Sequence, residues 1–161
     1  MDIINVSTGE IKIAEGNQTL ISHAIGSCIV VSTYDKTNKI GAMAHIMLPG
    51  SAPNQHRMSE RKYAKNAIDF MTTVLIKLNI NPQELPFCLV GGGNVLQKEN
   101  DIICKDNIES TTNILNKYNY AIVAQETGGI LRRTCRLSLE TGQFFYTEGD
   151  SSEKLLFDVN T

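Results

Sequence analysis

The feature that most constrains the fold is a pair of apolar runs separated by a turn. "CIVVSTY" occupies 28–34 and "KIGAMAHIML" occupies 39–48, with Asp35-Lys36-Thr37-Asn38 between them. β-Branched and aromatic residues in the first run favour an extended chain. Asp, Thr and Asn between the runs supply turn chemistry. The second run is apolar at both alternating sets of positions. A strand with one wet face alternates in polarity, so a strand without alternation is covered on both sides. Lys39–Leu48 therefore reads as a fully buried strand.

The flanking sequence supplies the other elements. Glu10–Ala14 and Gln18–His23 read as short strands ahead of the hairpin. Gly50–Arg57 is a polar loop, and Ser59 is a candidate N-cap. From there to about Leu78, the residues Tyr63, Ala67, Phe70, Met71, Val74, Leu75 and Leu78 recur at three and four, which predicts a helix with one buried face. Asn81-Pro82 ends it. Glu84–Val90 predicts a strand closed by Gly91-Gly92-Gly93, and about Asn107–Tyr118 a second helix with Ile108, Thr112, Ile114, Leu115 and Tyr118 inward. Ala121–Gln125, Leu131–Leu139 and Gln143–Thr147 predict further strands, the last two joined through Glu140-Thr141-Gly142. The acidic tail after Gly149 reads as partly flexible. Two helices among about eight strands predict a mixed α/β (α+β) domain with layered, β-sandwich-like sheets, not a doubly wound sheet. With no internal repeat, low-complexity tract or linker, residues 1–161 read as one domain.

Composition narrows the function classes. Hydrophobic content of 42% with 20% charged residues is that of a soluble globular chain. A net charge of −2 without any Lys/Arg block lacks the electrostatic footprint of a nucleic-acid binder. No apolar run approaches the roughly 18 residues of a membrane span, and Met1-Asp2-Ile3-Ile4 lacks the basic start of a signal peptide. The expected location is the cytoplasm, without membrane insertion. Cysteines at 28, 88, 104 and 135 are then expected as reduced thiols, not as a disulfide frame. No C-x-x-C occurs, and His23, His45 and His56 are not paired with cysteines at zinc-like spacing, so no metal is expected.

The hairpin also carries a chemical suggestion. If its loop is the four residues 35–38, Tyr34 faces Lys39, and counting back along both strands places Cys28 opposite His45. Opposed residues share one face of a sheet, with Cβ atoms about 4.5–5.5 Å apart. A thiol with a pKa near ~8.5 is mostly protonated at neutral pH, and an imidazole within reach can take its proton to make the nucleophile. A one-residue change of register turns His45 to the opposite face. The alternatives are plain: Cys28 as a small core residue, and His45 as a core histidine satisfied by a carbonyl. A histidine inside an apolar strand is nonetheless costly to bury without a purpose.

Other candidates carry less. His23 is separated from Cys28 by Ala24–Ser27, which read as a turn, and His56 lies in a polar loop, solvated. Gly91-Gly92-Gly93-Asn94 is no dinucleotide fingerprint, because position 96 is Leu, and no phosphate loop, because Gly-Lys-Ser/Thr is missing. It reads as a tight turn or a close backbone approach. Arg132-Arg133 reads as a solvated strand edge, and Met43 and Met47 as core.

Four segments together resemble a known family. "GSC" at 26–28, "GAMAHIMLP" at 41–49, "GGGN" at 91–94 and "ETGG" at 126–129 are similar, in order and separation, to signature segments of CheD, the chemoreceptor glutamine deamidases of bacterial and archaeal chemotaxis. The similarity runs from about Glu10 to about Tyr146, and the cysteine-to-histidine separation of seventeen residues is its most specific element. The resemblance implies papain-like cysteine–histidine chemistry on a layered α/β fold similar to that of the cytotoxic necrotizing factor toxins. It implies Cys28 as nucleophile and His45 as base, with a third site residue at position 22, where the family has threonine and this chain has Ser22. Serine keeps the hydroxyl but loses the methyl that stiffens χ1.

The implied reaction is hydrolysis of a glutamine side chain on the cytoplasmic helices of a chemoreceptor, without metal or organic cofactor. Backbone N–H groups near Ser27 and Cys28 are the candidate oxyanion donors. The resemblance also implies docking on a CheC-type phosphatase. Two other readings stand beside it: a chemotaxis binding module that regulates the phosphatase with little or no catalysis, and a different cysteine amidase on the same scaffold.

Overall fold

The computed structural model describes residues 2–53, 60–100 and 102–161. Among them are ten strands: β1 (Ile3–Asn5), β2 (Ile11–Glu15), β3 (Thr19–Ile25), β4 (Ile29–Asp35), β5 (Ile40–Ile46), β6 (Pro86–Gly91), β7 (Ala121–Thr127), β8 (Arg133–Ser138), β9 (Gln143–Glu148) and β10 (Lys154–Asp158). Two α-helices, α1 (Ala64–Lys77) and α2 (Ile103–Lys117), complete the regular structure. The strands form two five-stranded sheets, in the orders β1-β3-β8-β9-β10 and β2-β5-β4-β6-β7. This is the layered α+β architecture expected from two helices among about eight strands, with ten strands in place of eight.

Burial explains the layering. Every residue of β4 is buried, as are all of β5 after Ile40. One face of this sheet presents Ile29, Val31, Ala42, Ala44, Ile46, Phe87 and Leu89 to Ala67, Ile68, Met71 and Leu75 of α1 and Leu115 of α2. The other presents Val30, Tyr34, Met43, Cys88 and Val90 to Leu20, Ile25, Cys135, Leu137 and Phe144 of the first sheet. Each large side chain so buried contributes roughly 1.5–3 kcal/mol. Two cores share β4 and β5, and the polar residues buried in these strands include Ser32 and Thr33, whose hydroxyl donates to Pro86 O at 2.7 Å.

The hairpin register differs from the one read in the sequence. Asp35 pairs with Ile40 and Val30 with His45, so the four-residue loop is Lys36–Lys39, one position later than expected. The cause is Asp35: its carboxylate accepts from Thr37 N (3.2 Å) and Asn38 Nδ2 (2.6 Å), holding the loop from the last residue of β4. Lys39 closes it with a φ of +53°. Cys28 therefore lies diagonal to His45, two residues before the residue that faces it. A two-residue shift preserves the face, because side chains alternate with a period of 2.

Other expectations also need correcting. Helix α1 starts at Ala64 after a 3-10 turn at Glu60–Lys62, with Tyr63 at the N-cap position; Ser59 and His56 lie outside the described residues. Helix α2 starts at Ile103, ahead of the expected Asn107. The tail is not loose. Strand β10 pairs antiparallel with β9, Phe157 stacks edge-on against Phe144 at 6.1 Å, and Glu153 binds Arg136 at 2.6 Å. Strand β1, three residues pairing in parallel with β3, is too short for periodicity to reveal.

Candidate active site

The chain changes sheets at Gly26-Ser27-Cys28, between the end of β3 in one sheet and the start of β4 in the other. Along β3, Leu20 and Ser22 point inward and His23 outward, exposed. A bulge between Ser22 and Ile25, with Ala24 at a φ of +53°, bends the strand toward the crossover. The site sits at this junction and draws its groups from both sheets.

Ser22 and His45 meet across the inter-sheet layer. Both are buried, and Ser22 Oγ lies 2.7 Å from His45 Nδ1. The same hydroxyl lies 2.7 Å from the Val6 carbonyl oxygen. A carbonyl only accepts, so the single hydroxyl proton goes to Val6 and Oγ accepts from Nδ1–H. That fixes the tautomer: Nδ1 carries the proton and Nε2 keeps its lone pair. Nε2 is buried and makes no hydrogen bond among the described residues, an acceptor held ready by the partner of the other ring nitrogen.

Cys28 is half-buried and belongs to the same inter-sheet cluster as Val30 and Met43, on the side of the sheet that carries His45. Its loop is held from three directions. Gly93 N donates to Gly26 O at 2.9 Å, and Gly92 N to Cys28 O at 2.7 Å. Asn107 Nδ2 donates to Ser27 O at 2.8 Å. The glycine turn is thus the close backbone approach expected of it. At Gly91, with a φ of +129°, an added Cβ meets Cys28 O at 2.3 Å and Ile25 Cγ2 at 2.7 Å. Backbone atoms cannot yield as a flexible side chain does. Gly91→Ala is expected to destabilise by about 3 kcal/mol or more from strain and overpacking together. A denaturant midpoint unchanged from the native chain contradicts that packing.

Arg133 corrects an expectation. It is buried, not solvated: Nη1 donates to Gly128 O at 2.8 Å and Gly91 O at 3.3 Å, tying the glycine turn to the loop before β8. Met43 is core, whereas Met47 is 38% exposed. Neither Arg133, packed against the glycine turn, nor Asn107, packed against the Gly26–Cys28 loop, stands out in the sequence. Asn107 was legible in principle, because Cys104, Asn107, Thr111 and Leu115 follow helical spacing and are all buried; it marks a polar residue on an inner face.

Burial acts on both members of the pair toward their neutral forms. Burial pushes the Cys28 thiol above its ordinary 9.0, with its own backbone N–H opposing. Burial holds His45 below its ordinary 6.5, with the Val6 carbonyl opposing. Both shifts disfavour a standing thiolate–imidazolium pair. The arrangement suits a base that takes the thiol proton as attack occurs.

Comparison with known proteins bears on what such a site serves. The family model described as CheD chemotactic sensory transduction matches residues 47–148. A probable chemoreceptor glutamine deamidase CheD of Chlorobium luteolum is 38% identical over 154 residues, 96% of this chain and 77% of that protein. The chain belongs to the CheD family. Another CheD relative, the probable chemoreceptor glutamine deamidase of Pyrococcus horikoshii, is 30% identical over 96% of this chain and 99% of its own length. The chemoreceptor glutamine deamidase CheD of Thermotoga maritima is 27% identical over 93% and 94% respectively. Ser22, Cys28 and His45 precede the stretch matched by the CheD family model, but coverage of 96% of the chain by the first relative takes them in.

Proposed function

We propose that this chain hydrolyses glutamine side chains of chemoreceptors to glutamate, with Cys28 as nucleophile, His45 as base and Ser22 as the group that orients the base. The observation that carries the proposal is the Ser22–His45 contact, which leaves a bare imidazole nitrogen on the face where the one half-buried cysteine sits. The names of the relatives supply the substrate class.

The steps follow from those groups. His45 Nε2 takes the thiol proton as Cys28 Sγ attacks the carboxamide carbon. The negative charge moves to the carboxamide oxygen, where the Ser27 and Cys28 N–H groups are the proposed donors. The imidazolium returns its proton to the departing nitrogen, releasing ammonia and leaving a thioester on Cys28. Water, losing a proton to the same nitrogen, cleaves the thioester to a carboxylic acid and regenerates the thiol. Each turnover replaces a neutral side chain by an anion. As the family resemblance implies, the proposal includes a second partner, a CheC-type phosphatase.

Incubation with a chemoreceptor cytoplasmic fragment, read by mass spectrometry, tests the reading. The native chain is expected to add about one dalton at specific glutamines, through the thioester route above. Fragments unchanged in mass after prolonged incubation overturn it.

Ser22 has its own prediction. Ser22→Ala removes the hydroxyl that Nδ1–H and the Val6 carbonyl share, so the ring loses the contact that orients it. The expected fall in kcat is about tenfold to a hundredfold, within the range that general-base defects span, whereas Ser22→Thr keeps the hydroxyl and the activity. A Ser22→Ala protein with native kcat shows that the hydroxyl does nothing for the base.

A further inference from the structure

Asn107 lies inside α2, fully buried, where an asparagine costs helix stability relative to most residues. Its Nδ2 donates to two carbonyls, Ser27 O at 2.8 Å and Met47 O at 3.1 Å. Both partners only accept, so the NH2 group must be the one facing them, and both of its hydrogens are used. Its Oδ1 is buried without a hydrogen-bond partner among the described residues. The helix is itself seated against the glycine turn: a Cβ on Gly92 meets Ile108 Cγ1 at 2.4 Å and Cys104 O at 3.2 Å.

The two carbonyls belong to different parts of the site. Met47 follows β5 directly, two residues after His45. The Ser27 carbonyl shares a peptide group with the Cys28 N–H. A trans peptide is planar, with C=O and N–H pointing in opposite directions. Fixing the Ser27 oxygen therefore fixes the direction of the Cys28 N–H. A hydrogen bond to that oxygen also polarises the peptide and strengthens its N–H as a donor. Gly93 N does the same for the peptide between Gly26 and Ser27.

We propose that Asn107 is a positioning residue for the reaction: one side-chain amide aims the Cys28 N–H at the developing oxyanion and holds the nucleophile loop in register with the strand that carries His45. The inference rests on the cysteine–histidine reading above. Asn107 touches no substrate; it acts through Ser27 and Met47.

The test compares Asn107→Leu, similar in size but without a donor, and Asn107→Ser, small enough to enter the site and able to donate once. Deamidation of a chemoreceptor cytoplasmic fragment gives kcat and KM, while thermal unfolding gives the folded fraction at the assay temperature. Per folded molecule, Asn107→Leu is expected to lose about tenfold to a hundredfold in kcat, short of or equal to what removal of a direct oxyanion donor costs. KM is expected to stay within about threefold, because the loss falls on the transition state and not on ground-state binding. Asn107→Ser is expected to lose less. A folded Asn107→Leu protein with kcat within about threefold of native overturns the inference, as does a loss confined to KM. If the Leu variant does not fold, a folded Asn107→Ser protein decides, and native kcat there overturns the inference equally. Cys28→Ala and His45→Ala run alongside. Turnover surviving in those two removes the underlying reading, whereas its loss there with native kcat in the Asn107 variants removes this inference alone.

Discussion

Cys28→Ala is expected to abolish deamidation, lowering kcat by more than about 10³-fold while leaving the fold intact, because covalent chemistry has no other start. The other thiols offer no substitute. Cys88, Cys104 and Cys135 are buried. Burial pushes the Cys135 thiol up to about 12 and the Cys88 thiol higher still, with each too deep to meet a polypeptide substrate. Cys28 alone is half-exposed, so substrate binding should survive its loss and KM should change little. Substitution of the three buried cysteines should instead be felt in stability. A Cys28→Ala protein that still converts glutamine at an appreciable fraction of the native rate moves the nucleophile elsewhere.

His45→Gln is the second large effect, expected to reduce kcat by about 10²–10⁴-fold, the contribution of a positioned general base. Its pH signature separates a base from an ion-pair partner. In the proposed mechanism the productive form holds a neutral imidazole and a protonated thiol. His45 is held below its ordinary 6.5 by burial, so activity should rise with pH through a value below 6.5 and then level off. Cys28 is held above its ordinary 9.0 by burial, so the productive form should persist to beyond 9.0. A standing thiolate–imidazolium pair inverts the assignment: the acid limb then belongs to the thiol and the alkaline limb to the ring. The kcat/KM profile of the native chain checks this, and the acid limb should vanish in His45→Gln. An acid limb that remains in the variant belongs to another group.

What the sequence allowed to be read follows physical lines. The absence of alternation in "KIGAMAHIML" marks β5 as buried on both faces, because polarity alternates only where one face is wet. The face shared by Cys28 and His45 was legible, although the register was not. Asp35 looked like the first residue of the loop, yet its carboxylate serves the loop from inside the strand. That error moved the pairing by two residues and so left the face unchanged. Strand β10 was hidden because acidic and serine residues precede it, and its order comes from Phe157 against Phe144 and from the Arg136–Glu153 pair, contacts between distant positions. Arg133 was misread for the same reason: nothing local says that two carbonyls wait for it. The Ser22–His45 bond joins different sheets, so no spacing rule reaches it; family resemblance pointed to position 22, and the tautomer came only from the Val6 carbonyl.

The proposed reaction passes an acyl group through Cys28 in one covalent event. Acid quenching during turnover of a chemoreceptor fragment, followed by mass mapping of the peptide that contains Cys28, examines that event itself. The expected result is an adduct on Cys28 equal to the substrate less ammonia, formed in the native chain and missing in Cys28→Ala. Turnover without any such adduct, and with the Cys28→Ala protein equally active, contradicts the account.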